Sequence, residues 1–116
     1  MNTLELFAGA GGAALGLRDA GFESVGCVEH DPEAAATLRA AGFPVLEEDV
    51  RTVDFSLYRG RSDLLWASPP CQSRSAAQTW GRKGAADPER DGFPWTLQAI
   101  EQAVPTWVVV ENVGRA

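Results

Sequence analysis

Short unbroken apolar runs alternate with longer alanine-rich stretches along this chain. Thr3-Leu4-Glu5-Leu6-Phe7 predicts a first strand, stopped by a glycine-rich turn. The stretch from Ala13 to about Ala20 predicts a helix, with Gly21 as its C-terminal cap. Ser24 to Glu29 predicts a second strand. Asp31 then reads as an N-cap with Pro32 at the first helical position, and the helix runs from Glu33 to about Ala41, where Gly42 caps it. Pro44-Val45-Leu46 and Asp63 to Ala67 predict a third and a fourth strand. A helix over Phe93 to about Ala103 and a fifth strand over Thr106 to Glu111 complete the pattern.

The strands are continuously apolar rather than alternating, which implies burial on both faces. Five such strands interleaved with helices predict a doubly wound, mainly parallel α/β sheet. Its longest irregular piece runs from about Ser68 to Gly92. Such length in a compact domain marks a functional or a disordered segment.

At 116 residues and 45% hydrophobic content the chain suits one small domain with a real core. No apolar run approaches the roughly 18 residues of a membrane span, and no signal peptide is evident. Two cysteines and one histidine fall short of a four-ligand zinc site, so no metal is expected. They also suggest a reduced, cytoplasmic protein. The net charge of −6 argues against a nucleic-acid binder, but it is unevenly spread. All of it falls in residues 1–70, and Arg74, Arg82 and Lys83 follow Cys71 with no acid between them. That is where an anion can approach.

The turn Phe7-Ala8-Gly9-Ala10-Gly11-Gly12 follows the first strand and opens the first helix. Glycine there lets a ligand lie against the backbone, and the helix N-terminus suits a carboxylate or phosphate. Glu29 ends the second strand at about the 20-residue spacing at which an acid reaches a ribose diol. The turn is G-x-G-G rather than G-x-G-x-x-G, so a nucleoside bearing a carboxylate fits as well as a dinucleotide. S-adenosylmethionine is such a nucleoside. Asp49 follows the third strand, either facing an adenine amino group or lying solvated beside Glu47 and Glu48.

Cys71 lies four residues past the fourth strand, behind Pro69 and Pro70. Two prolines fix the backbone and remove two donors, which suits the aiming of a reactive thiol. Taken alone, nucleophile and bystander are evenly matched. Cys27, inside a strand, reads instead as a small buried hydrophobe. Glu111 emerges at the same carboxyl edge of the sheet, at the end of the fifth strand.

The segments "LELFAGAGG", "VEHDP", "EEDV", "SPPCQ" and "ENV", in this order and spacing, resemble the DNA cytosine-5 methyltransferase family over Leu4 to Val113. The resemblance implies a Rossmann-like S-adenosylmethionine-dependent methyltransferase. Phe7, Ala8, Gly9, Gly11, Gly12 and Pro70 would cradle S-adenosylmethionine. Glu29 would bind its ribose, His30 would lie beside the adenine, and Asp49 and Val50 would face the adenine edge. Cys71 would be the nucleophile and Glu111 the cytosine-binding acid. Gln72, Ser73, Arg74, Arg82 and Lys83 would contact nucleic acid, the partner being double-stranded DNA with a flipped cytosine. Glu5 departs from the family, which often has Asp there.

The family pattern continues past Glu-Asn-Val with an Arg-containing motif, further strands, a target-recognition region and a late segment completing the cofactor pocket. None is in the 116 residues, so the expectation is a partial catalytic domain, truncated after the fifth strand. A complementary chain supplying the missing half is then an expected partner, and the fifth strand an expected bare apolar edge. The alternatives are an RNA cytosine-5 methyltransferase and a non-catalytic fragment that binds S-adenosylmethionine or another chain. A nicotinamide-dependent oxidoreductase would leave Cys71 and Glu111 without a role.

Overall fold

A computed structural model describes residues 1–70 and 91–112. Five strands form one sheet: β1 (Asn2–Leu6), β2 (Glu23–Val28), β3 (Val45–Leu46), β4 (Leu64–Ala67) and β5 (Trp107–Val110). All adjacent pairs are parallel, in the order β3-β2-β1-β4-β5. The chain builds outward from β1 to β3, then returns to place β4 on the other side of β1. Strand order therefore reverses between β1 and β4, and a crevice opens there at the strands' carboxyl ends. No helix among the described residues is long and apolar enough to cross a membrane.

The helices are α1 (Gly12–Asp19), α2 (Pro32–Ala40) and α3 (Phe93–Ala103). Both early helices end in a left-handed glycine, Gly21 at φ 97° and Gly42 at φ 92°. Gly21 N–H donates to Arg18 O and Phe22 N–H to Leu17 O, each at 3.0 Å. Gly42 and Phe43 repeat the pattern with Arg39 O and Leu38 O. This double bond satisfies carbonyls that the helix leaves open, and brings the buried Leu38 and Phe43 into one cluster. Asp31 caps α2 by accepting from Ala34 N–H at 2.9 Å, with Pro32 in the first turn.

Leu4, Leu6, Val28, Leu65 and Ala67 cover one face of the sheet and pack against Ala99 and Ala103 of α3. Phe55 and Tyr58 join them from a short 3-10 turn, Phe55–Tyr58, a packing element that the sequence pattern does not announce. Cys27, Ala14, Leu38 and Phe43 form the core of the opposite face. Cys27 is fully buried, and burial pushes its thiol up to about 11, in keeping with an inert hydrophobe.

Each strand differs from expectation by a residue at one end or both. Phe7 is not in β1: its φ of 55° lies in the left-handed region, which a bulky residue rarely adopts, and the chain turns there. Glu29 and Glu111 fall one residue past their strands but stay tied to the sheet. Their N–H groups donate to Leu46 O at 3.0 Å and Ala67 O at 2.9 Å.

Candidate functional site

The carboxyl ends of the strands gather most of the sequence-predicted residues. Phe7, Glu29, His30, Asp49, Val50 and Pro70 line one cavity of about 330 Å³ at the β1/β4 reversal. That volume lies at the lower end of the roughly 300–1,000 Å³ of small-molecule pockets. Ala8, Gly9, Gly11 and Gly12 are not among its walls, though Ala8 N–H donates to the carbonyl of the lining residue Val28 at 3.1 Å. Gly9, at φ 61°, donates its N–H to Glu29 Oε1 at 2.7 Å. The acid is buried, and its other oxygen accepts from Asp31 N–H at 2.9 Å. His30 Nδ1 stands 3.7 Å from that same oxygen, its own side chain exposed.

Asp49 begins the 3-10 turn Val50–Thr52 and accepts from Arg51 N–H at 2.9 Å. Its carboxylate also receives Arg51 Nε at 3.1 Å and Nη2 at 2.8 Å. These Arg51 bonds hold the Asp49 carboxyl below its usual range. An adenine amino group would thus meet an acid already engaged by a guanidinium.

Three residues missed by the sequence reading, Asp91, Gly92 and Trp95, close the cavity from the start of α3. Asp91 is buried, and its Oδ1 accepts from Phe93 N–H at 3.0 Å at the helix entrance. Gly92 N–H donates to Pro70 O at 3.0 Å. An acid-glycine pair before a helix was the one available signal, but it reads equally as an ordinary helix start. Glu48 and Arg51 also line the cavity, so carboxylates outnumber cations around it.

Glu111 does not face this cavity. It lines a second, shallower one of about 310 Å³ with Ser68, Pro69 and Asn112. Ser68 Oγ donates to Glu111 Oε1 at 2.9 Å, which ties the exposed strand-end acid of β5 to the segment that follows β4. Cys71, Gln72, Ser73, Arg74, Arg82 and Lys83 lie outside the described residues. Among the described residues no cluster of three or more His, Cys, Asp or Glu side chains is placed to hold a metal ion.

Comparison with known proteins agrees with this geometry. Residues 1–116 match the family described as C-5 cytosine-specific DNA methylase. The chain is 42% identical over 113 residues to the type II methyltransferase M.PspPI of Psychrobacter sp. (strain TA137), covering 95% of this chain but only 26% of that protein. It is 39% identical over 124 residues to the type II methyltransferase M.HgiGI of Herpetosiphon aurantiacus, covering 100% of this chain and 93% of that one. Among solved structures, a prophage-encoded E. coli protein described as a DNA modification methyltransferase superposes with a TM-score of 0.77 at 24% identity. That overlap covers 97% of this chain and 32% of the other, and establishes the fold.

Proposed function

Since the chain belongs to the C-5 cytosine-specific DNA methylase family, we propose that it carries the donor pocket and the nucleophile for methyl transfer from S-adenosylmethionine to C5 of cytosine in DNA. One observation carries the reading. The Pro69–Pro70 pair separates two cavities, Pro70 lining the one with Glu29 and Pro69 the one with Glu111. Cys71 is the next residue in the chain. A donor on one side and a base on the other would meet at the Pro69–Pro70 turn, from which the sequence continues to Cys71.

The residues around the first cavity fit S-adenosylmethionine. Each Glu29 oxygen takes one backbone N–H, leaving lone pairs for the two ribose hydroxyls. The start of α1 has no side-chain cap and no acid in its first turn, so its N–H groups suit the methionine carboxylate. A Cβ added at Gly9 would meet nothing within 4 Å, so the space above the turn is open. The excess of carboxylates favours a cationic ligand. When bound, S-adenosylmethionine supplies an electrophilic methyl group.

The remaining steps belong to the chain. Cytosine C5 is a poor nucleophile until a thiolate adds at C6. Cys71 makes that bond, and the ring electrons shift to C5, which takes the methyl group as its bond to the sulfonium sulfur breaks and S-adenosylhomocysteine leaves. Glu111 holds N3 and stabilises the charge that develops there as the thiolate adds. Loss of the C5 proton to a base then expels the thiolate and restores the ring. The target is stacked in a duplex, so the base must be flipped, with Arg74, Arg82 and Lys83 on the phosphates and Gln72 and Ser73 near the base.

The test is covalent trapping. With S-adenosylmethionine, DNA containing 5-fluorocytosine should give an adduct that survives denaturation, because the C5 fluorine cannot leave as a proton does. Cys71→Ser should give none. Absence of adduct with the wild-type chain, also in the presence of a complementary methyltransferase half, would overturn the reading.

A further inference from the structure

Gly92 has a φ of −80°, which any residue adopts, so backbone conformation does not call for glycine there. Space does. A Cβ on Gly92 would lie 2.7 Å from Pro70 Cδ, 2.8 Å from Phe7 Cζ and 2.8 Å from Pro69 Cβ. These partners come from two different strand ends. The prolines are rigid rings whose side chains do not yield. Phe7 Cζ is the tip of a side chain, so the ring yields by moving, and in moving it displaces a cavity wall. Gly92 itself cannot retreat, since its N–H is bonded to Pro70 O at 3.0 Å. Its carbonyl accepts from Thr96 N–H at 3.0 Å and from the buried Thr96 Oγ1 at 2.9 Å.

We propose that Gly92 is a positioning residue for the donor pocket: its bare Cα is the surface against which the Phe7 ring and the Pro69–Pro70 turn are set. Phe7 and Pro70 are both cavity walls, so one added methyl group displaces two of them. The role rests on the donor-pocket reading for its purpose, but the packing can be tested without any ligand.

The experiment compares Gly92→Ala with Gly16→Ala, a control whose added Cβ meets nothing within 4 Å. Calorimetry with S-adenosylhomocysteine should show about a tenfold or greater loss of affinity in the folded Gly92→Ala protein and none in the control. A glycine needed only for folding would lower the unfolding midpoint and leave the affinity of folded protein unchanged, and that result overturns the proposal. Two-dimensional NMR supplies the ligand-independent arm. Gly92→Ala should move the Phe7 and Pro70 resonances, and unmoved resonances also overturn it. If wild-type protein binds no S-adenosylhomocysteine, the donor-pocket reading fails and the NMR result alone decides the packing. Should Gly92→Ala not fold, a milder pair decides: Phe7→Ala alone and Gly92→Ala with Phe7→Ala are compared by urea unfolding. The double variant should be destabilised by less than the sum of the single changes, because the ring no longer meets the new Cβ while the two proline contacts remain. Strict additivity, or a double variant as unfolded as Gly92→Ala, counts against the Phe7 contact.

Discussion

Gly9 and Glu29 stand 20 residues apart in the chain and 2.7 Å apart in space, with the glycine N–H donating to the carboxylate. The bond turns two separate sequence features into one device. The glycine turn positions the acid, and the acid holds the turn open beneath the cavity. Its second oxygen is taken by Asp31 N–H at 2.9 Å, just before α2 begins.

Glu29→Gln replaces one of these two acceptors with a donor, so one backbone N–H loses its partner in a buried place. The expected cost is about 1–3 kcal/mol of stability. S-adenosylhomocysteine affinity should fall about tenfold or more, because an amide offers the ribose diol fewer acceptors. Urea titration and calorimetry on the same variant measure both. An affinity equal to wild type would remove Glu29 from the ribose role.

The fold was legible because its strands are unbroken apolar runs and its early helices end in glycines that the Schellman geometry requires. Gly21 and Gly42 took up that geometry in the structure. The spacing of Gly9 and Glu29 marked them as parts of one nucleoside site, but the direct bond from Gly9 N–H to the acid is visible only in the structure. Less so was Phe55–Tyr58, since a single 3-10 turn has too few residues to show a period, yet it fills the core. Asp91 and Gly92 were invisible as pocket residues for a different reason. They line the cavity together with Phe7 and Pro70, which are distant in sequence, and Gly92 meets those two directly.

Two helix positions should tolerate stabilising changes. Gly16 sits inside α1 with open space where a Cβ would go, so Gly16→Ala should add about 0.5–1 kcal/mol. Val104 closes α3 at φ 48°, a conformation costly for a β-branched residue, and its side chain is largely exposed. Val104→Gly should gain about 1 kcal/mol by removing that strain. Gly11→Ala should do the reverse, since φ is 108° and the new Cβ would meet Leu38 Cδ2 at 3.0 Å. Thermal melts should place Gly16→Ala and Val104→Gly above wild type and Gly11→Ala below it, and a stabilised Gly11→Ala would contradict the geometry of the turn.

β5 is the outermost strand, and Trp107, Val108, Val109 and Val110 are all exposed by 37% or more. Among the described residues no strand covers its outer edge. A flat, apolar, uncharged edge pairs readily with another chain. The isolated 116-residue chain should therefore self-associate as its concentration rises, and Trp107→Lys should suppress this. Sedimentation velocity on the two proteins decides the matter, and equal association would place the contact elsewhere.

Glu5 predicts an unusual pH dependence. It lies in the middle of β1, paired in register with Cys27 on one side and Trp66 on the other, and is only 3% exposed. Burial raises its carboxyl from 4.5 to about 7. The folded state therefore holds this proton more tightly than the unfolded chain does. Below about pH 4.5 both states are protonated and Glu5 carries no ionisation penalty. As pH rises toward 7 the unfolded chain ionises first, so stability falls, and above that the full penalty is present. The shift of 4.5 to about 7 corresponds to an upper bound of about 3 kcal/mol. Asp49 acts in the opposite sense, losing its stabilising Arg51 bonds only in more acid solution. Glu5→Gln keeps the shape and removes the titration. Its stability relative to wild type should rise between about pH 5 and about pH 8, approaching the bound above. Urea unfolding of both proteins at the two pH values measures the difference, and a gap that does not change with pH would mean Glu5 stays ionised throughout.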